Sequence, residues 1–131
     1  MTVARATRPR LSDSTRTLAE ARTRLTAERV AAASRMAAIE RDVNDIVQSA
    51  KDGATDDEHD VEGATIAFER AQAMALLEET RGQVAVLDEA LGRVDAGTYG
   101  TCESCGQPIA AERLAARPAA TRCITCASRR R

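Results

Sequence analysis

Four cysteines, Cys102, Cys105, Cys123 and Cys126, form two C-x2-C pairs with seventeen residues between them. Each pair can fold into a tight knuckle that aims two thiolates at one point. Two such knuckles supply the four sulphurs of a tetrahedral zinc site, with Zn–S distances of about 2.3 Å. A redox dithiol is the alternative, but a second, equally spaced pair fits structural zinc far better. Four protein ligands leave no position for water, so one structural Zn2+ is expected and no catalytic one. Ile109, Leu114 and Ile124 are the candidate core of this small unit. Arg113, Arg117 and Arg122 are expected to surround a centre that is doubly negative overall.

The second group that could do chemistry is acidic. Residues 53–63 hold Asp56, Asp57, Glu58, Asp60 and Glu62, with glycine at both ends and no Lys or Arg. Part of this has a local explanation. Thr55 with Glu58 fits a capping box, and acids near a helix N-terminus complement its dipole by about 0.3–1 kcal/mol each. One or two acids would suffice for that. Five crowded carboxylates repel one another, so the cluster reads as a device for presenting negative charge to a cation. His59 is the one histidine in the chain, and an isolated loop histidine is read as an ordinary polar residue.

Two helical patterns flank the acidic stretch. Leu11, Leu18, Leu25, Ala32, Ile39 and Ile46 recur every seven residues, and Met36, Val43 and Ala50 fill the position four residues on. Earlier in the pattern that second position falls on Thr15, Arg22 and Arg29. The seam is therefore expected to pack more tightly near the acidic turn than near the N-terminus. Beyond the turn, Ile66, Ala73, Leu77, Val84, Leu87, Leu91 and Val94 repeat the 3-4 spacing, with Arg70 and Thr80 as polar members. Two apolar seams of similar length, about 42–50 Å at 1.5 Å per residue, are most simply buried by antiparallel pairing. Gly82 inside the second pattern implies a close helix approach, a bend, or a plain loss of about 1 kcal/mol relative to Ala. Asp95-Ala96-Gly97 reads as a helix end.

The chain is therefore expected to be all-α: a basic arm over residues 1–10, a long antiparallel coiled-coil hairpin over 11–96 with its acidic tip near 53–63, and a four-cysteine zinc-finger region with a basic tail over 97–131. At 131 residues with 2% aromatics, it cannot build a large aromatic core. The net charge of -1 hides an asymmetry: residues 97–131 hold six arginines against Glu103 and Glu112. No secretory signal or membrane span is legible, which points to the cytoplasm, where disulfides are disfavoured. An enzyme is not expected, since there is no open metal site, no nucleophile with a histidine base and no phosphate loop.

Tyr99-Gly100-Thr101-Cys102-Glu103-Ser104-Cys105-Gly106-Gln107-Pro108-Ile109, then Arg113 to Pro118, then Cys123-Ile124-Thr125-Cys126, resemble the DksA/TraR zinc-finger family. The resemblance is specific over residues 94–126, and the hairpin with an acidic tip is similar in architecture. It implies a bacterial transcription regulator that binds RNA polymerase, with the hairpin in the secondary channel and the tip toward the active-site magnesium. It implies no sequence-specific DNA contact and no membrane, and the chain is expected to act as a monomer. The family's tip motif, Asp-x-x-Asp-x-Ala/Ser, is met at Asp57 and Asp60, with Glu62 in place of the small residue. Asp56, Glu58, Glu62, Arg113 and Arg117 are candidates for tip or channel-rim contacts. The family's basic residues for guanosine tetraphosphate (ppGpp) fall on Glu79, Val86 and Ala127, none of them basic, so weak or absent synergy with this alarmone is expected.

Two other readings compete. A zinc ribbon could bind nucleic acid through its arginines, although stacking aromatics are scarce and the net charge is near zero. A structural coiled-coil adaptor could dimerise through the polar N-terminal part of the seam.

Overall fold

In the computed structural model the backbone is described for residues 11–52 and 60–129, and side chains for residues 15–52 and 63–129. Four helices follow in order: α1 (Leu11–Asp52), α2 (Asp60–Ala96), α3 (Ala111–Ala116) and α4 (Ile124–Ser128). An isolated antiparallel bridge joins Thr101 to Pro108. Gly53, the Thr55–Glu58 capping box, His59 and the arm over residues 1–10 lie outside the described residues. Among the described residues, no helix is long and apolar enough to cross a membrane. Contacts divide the chain into two units. One is Glu28–Asp88, and the other combines Met1–Ala27 with Glu89–Arg131.

The Glu28–Asp88 unit is an antiparallel pair of helices. Ala32, Leu77, Val84 and Leu87 are buried along its seam, with Met36, Ile39, Val43, Ile46, Ile66 and Ala73 half-buried. Fully burying such a Leu or Val side chain contributes roughly 1.5–3 kcal/mol, so the seam holds the pair together. Register is written in the flanking polar pairs. Arg29 pairs with Asp88, Arg35 Nη2 donates to Gln83 Oε1 at 3.0 Å, and Arg81 Nη2 meets Glu40 Oε1 at 3.4 Å. The partner number falls as the α1 number rises, which is the antiparallel order. Asp88 also holds the Arg29 guanidinium pKa above its ordinary value, by hydrogen bond first and charge second. Such exposed pairs are worth little individually, about 0.2–1 kcal/mol, but a slipped register would break all of them together. Thr80 is buried in the seam because its hydroxyl donates to the Leu76 carbonyl at 2.8 Å and needs no partner across the interface. Arg70, the other polar member, stays exposed.

The seam is not tightest near the turn. Leu25 and Ala32 have no exposed surface, whereas Ile39 and Ile46 are half-buried. The arginines expected to loosen the early seam instead close it. Arg22 Nη2 reaches Asp95 Oδ1 at 2.6 Å in one unit and Arg29 reaches Asp88 in the other, each bridging the two long helices. Gly82 permits no close approach, because a Cβ built there meets nothing within 4 Å. Gly82→Ala is therefore expected to raise stability by about 1 kcal/mol through helix propensity alone. A higher urea midpoint with an unchanged slope would show it.

In the other unit, Leu25, Ala90, Val94, Cys102 and Ile109 are buried. The α2 helix ends where the sequence places its stop. Gly97 has φ +75, its N–H donates to Val94 O at 3.3 Å, and the Thr98 N–H donates to Arg93 O at 3.0 Å. These two bonds make the Schellman cap that a left-handed glycine permits. Ala90, absent from the heptad reading, is fully buried beside half-buried Leu91. The buried face of α2 is wider here because α2 also meets the cysteine-bearing segment.

Candidate metal centre

The first knuckle is a short hairpin built on glycine. Gly100 and Gly106 have φ +82 and +71, a region that side chains rarely adopt. The Gly106 N–H donates to Cys102 O at 2.9 Å, the Cys102 N–H to Gln107 O at 2.8 Å and the Ile109 N–H to Gly100 O at 2.7 Å. These bonds curl Cys102 and Cys105 toward the same side. The second knuckle uses helix geometry. Cys123 is the N-cap residue of α4, and Cys126 lies one turn later on the same face. That register turns Ile124 outward, and it is 68% exposed. The expectation that Ile124 joins the core is therefore incorrect. Ile109 is buried and Leu114 half-buried, with Leu114 Cδ1 lying 3.5 Å from the Cβ position that Gly100 lacks.

The knuckles are joined by the Glu103 N–H donating to Thr121 O at 2.9 Å and by Arg122 Nε donating to Glu103 Oε1 at 3.0 Å. Arg113 Nε donates to Arg122 O at 2.8 Å. Arg113 and Arg122 thus brace the backbone and Glu103 rather than simply ringing the cysteines, and Arg117 is exposed. The whole segment is tied to the long helices. Arg24 of α1 donates to Ala115 O, and Arg93 Nη2 of α2 donates to Ala119 O at 3.2 Å. The Tyr99 hydroxyl donates to Pro118 O at 2.7 Å. Periodicity does not reveal these ties, because each ends on a backbone carbonyl, a group every residue carries.

The four Sγ atoms lie within 4.8 Å of one another. Cys105 and Cys123 Sγ are 3.8 Å apart, and all four cysteines are free. A disulfide needs about 2.05 Å, whereas a tetrahedron with Zn–S of about 2.3 Å has edges near 3.8 Å. The donor set thus fits one zinc ion. Without a cation four sulphurs this close compete for protons. Backbone N–H groups of Cys123 and then Cys105 lower the Cys102 pKa to about 6. Hydrogen bonds with the Cys123 and then Cys105 side chains push Cys126 up to about 12. Bound zinc supplies the positive charge that lets all four stand as thiolates, and four thiolates complete its coordination.

Asp56, Asp57 and Glu58 lie outside the described residues. Asp60 and Glu62 lie on the described backbone of α2, with side chains outside the described set. Glu79 and Val86 are exposed on α2, and Ala127 is half-buried on α4.

Comparison with known proteins agrees with this architecture. Residues 97–131 match the prokaryotic dksA/traR C4-type zinc finger. An RNA polymerase-binding transcription factor DksA of Caulobacter vibrioides strain NA1000 is 39% identical over 61 residues, covering 47% of this chain and 43% of the relative. Its counterpart in strain ATCC 19089 gives the same figures. The chain therefore matches less than half the length of these curated relatives. The structure of transcription factor DksA2 from Pseudomonas aeruginosa superposes with TM-score 0.74 at 28% identity, over 86% of this chain and 81% of that one. The C4 finger region is thus similar to the prokaryotic dksA/traR finger, and the hairpin with its finger is similar in fold to DksA2.

Proposed function

We propose that this protein is a non-enzymatic, cytoplasmic transcription regulator that binds bacterial RNA polymerase as a monomer. The hairpin enters the secondary channel, and Asp57 and Asp60 at its tip face the active site. Asp56, Glu58 and Glu62 add to the negative charge there, and Arg113 and Arg117 contact the rim. The observation carrying this reading is the pairing of an antiparallel helical hairpin with a C4 finger, the arrangement shared with a solved transcription factor over most of both chains. Two of the curated relatives bear the name RNA polymerase-binding transcription factor. Carboxylates presented toward a magnesium centre act by charge at a distance of a few ångströms, where little solvent screens them.

The test is a pull-down of core polymerase with zinc-loaded protein, repeated with the secondary channel blocked. Binding is expected to disappear on blocking. Undiminished binding would place the contact elsewhere, and no binding at all would end the proposal. Asp57→Asn with Asp60→Asn is expected to abolish the effect on transcription while polymerase affinity is largely kept. Equal loss of affinity would refute this division of labour. Because Glu79, Val86 and Ala127 offer no cation, adding guanosine tetraphosphate is expected to change the regulatory effect little. Strong synergy lost on mutating those three positions would contradict that.

A further inference from the structure

Cys102 is the buried ligand of the four, at 2% exposure, and its sulphur accepts three backbone N–H groups. Those of Ser104 and Cys105 come from its own knuckle, and that of Cys123 comes from the other. The Cys123 N–H therefore carries a bond that joins the knuckles at sulphur. It belongs to the peptide group whose carbonyl is Arg122 O, and that group is held at both ends. Arg113 Nε donates to Arg122 O at 2.8 Å, while the N–H meets Cys102 Sγ. The peptide group before it is held as well, the Glu103 N–H donating to Thr121 O at 2.9 Å. Arg122 Nε closes the loop on Glu103 Oε1 at 3.0 Å. Glu103 directly follows Cys102 and Arg122 directly precedes Cys123, so this strap lies immediately behind two ligands from different knuckles.

Charge alone gives no reason for a carboxylate here. One Zn2+ with four thiolates is doubly negative, which a nearby acid repels and a nearby arginine attracts. Arg122 suits such a centre and Glu103 does not, so Glu103 is placed for Arg122. Outer groups that orient the ligands are part of how a protein holds its metal. For the site to open, one knuckle must swing away from the other. With the strap intact, that swing breaks the Glu103–Arg122 pair together with the N–H to sulphur bond.

We propose that Glu103 is a positioning residue for zinc: through Arg122 it fixes the Arg122–Cys123 peptide group with its N–H on Cys102 Sγ, and so slows loss of the metal. Arg113 anchors the same peptide group from α3. The inference rests on the zinc fit of the four cysteines and not on the polymerase reading, and its test contains no polymerase.

The full chain, loaded to one zinc, is mixed with excess chromogenic chelator at neutral pH, and zinc transfer is followed by absorbance. Glu103→Ala is expected to speed the transfer about three- to tenfold, below the usual range for outer-shell partners because the pair is part-exposed. Glu103→Gln keeps an oxygen for Arg122 Nε and is expected to fall between the unaltered chain and Glu103→Ala. Glu112→Ala removes the same charge from an exposed position in α3 and is expected to change the rate by less than about twofold. In an Arg122→Met chain Glu103 is left only as a like charge, so adding Glu103→Ala there is expected to slow transfer or leave it unchanged. An unchanged rate in Glu103→Ala overturns the proposal, and a slower one does so by showing Glu103 to be a repelling charge alone. Acceleration by Glu103→Ala that is equal with and without Arg122 overturns it too, as does acceleration of the same size by Glu112→Ala. Where Glu103→Ala takes up less than one zinc, Glu103→Gln carries the same comparisons.

Discussion

Removing zinc is expected to unfold residues 97–128 while the helices of residues 28–88 persist. Beyond buried Pro118 and the ties of Arg24 and Arg93 to its carbonyls, the finger has only a small core. Ile109 is buried and Leu114 half-buried, and together they supply only a few kcal/mol of apolar burial, about 1.5–3 for each fully buried side chain. Zinc binding by comparable fingers contributes an apparent 10–16 kcal/mol, roughly, and that free energy is folding free energy. The residues 28–88 seam is packed within its own unit and does not depend on the metal. Hydrogen exchange reads both parts. The amides of Cys102, Gly106 and Ile109 donate to carbonyls inside the finger, and their protection is expected to vanish on chelation or in Cys102→Ser. The amides of Leu77 to Leu87 are expected to keep theirs. Protection surviving in the finger would mean that packing, and not the metal, holds it.

The same centre has a pH dependence with a definite sign. Zinc binds thiolates, so each thiol it meets must release a proton, and acid weakens binding. Because the finger is unfolded without zinc, its thiols start near the ordinary cysteine value of about 8.5, and close to four protons leave for each zinc bound between pH 5 and 8. Apparent zinc affinity is therefore expected to fall steeply and evenly as pH is lowered over that range. A chelator competition series between pH 5 and 8 measures the slope. A slope that steps near pH 6 would show instead that the zinc-free finger keeps the folded arrangement in which backbone N–H groups lower Cys102 to about 6.

Leu25→Ala is expected to destabilise its unit by about 2–5 kcal/mol, the range for a fully enclosed leucine whose neighbours cannot close the cavity. Leu25 has no exposed surface. Arg22–Asp95 pairs α1 with α2 three residues from it in α1, and Arg24 holds the α3 end beside it, so collapse around the gap is resisted. Ile46→Ala, at a half-buried position near the turn, is expected to cost distinctly less because water already reaches part of that side chain. Urea unfolding of the two variants provides the comparison. A larger loss for Ile46→Ala would restore the expectation that the turn end carries the tighter seam.

The strongest signals were legible because they are periodic or chemically singular. A seven-residue apolar repeat can bury its stripe only against another stripe, so the two long helices and their antiparallel pairing follow from Leu25, Ala32, Val84 and Leu87 in sequence order. Four cysteines in two C-x2-C pairs specify a metal tetrahedron wherever the intervening chain runs, because zinc imposes the geometry. Gly97 ends α2 because only a residue at ease with positive φ completes that cap.

Tertiary structure decided what depends on neighbours that a linear pattern does not name. Arg22 and Arg29 look like faults in the first seam, yet each finds an aspartate on the opposite helix. Ala90 is buried because a second element covers α2 there, whereas a heptad count sees one partner helix. Ile124 is apolar and sits between two ligand cysteines, but the i, i+3 spacing that turns both sulphurs inward turns it outward. The finger's attachment through Arg24, Arg93 and Tyr99 ends on main-chain carbonyls, whose positions come from the fold and not from residue type.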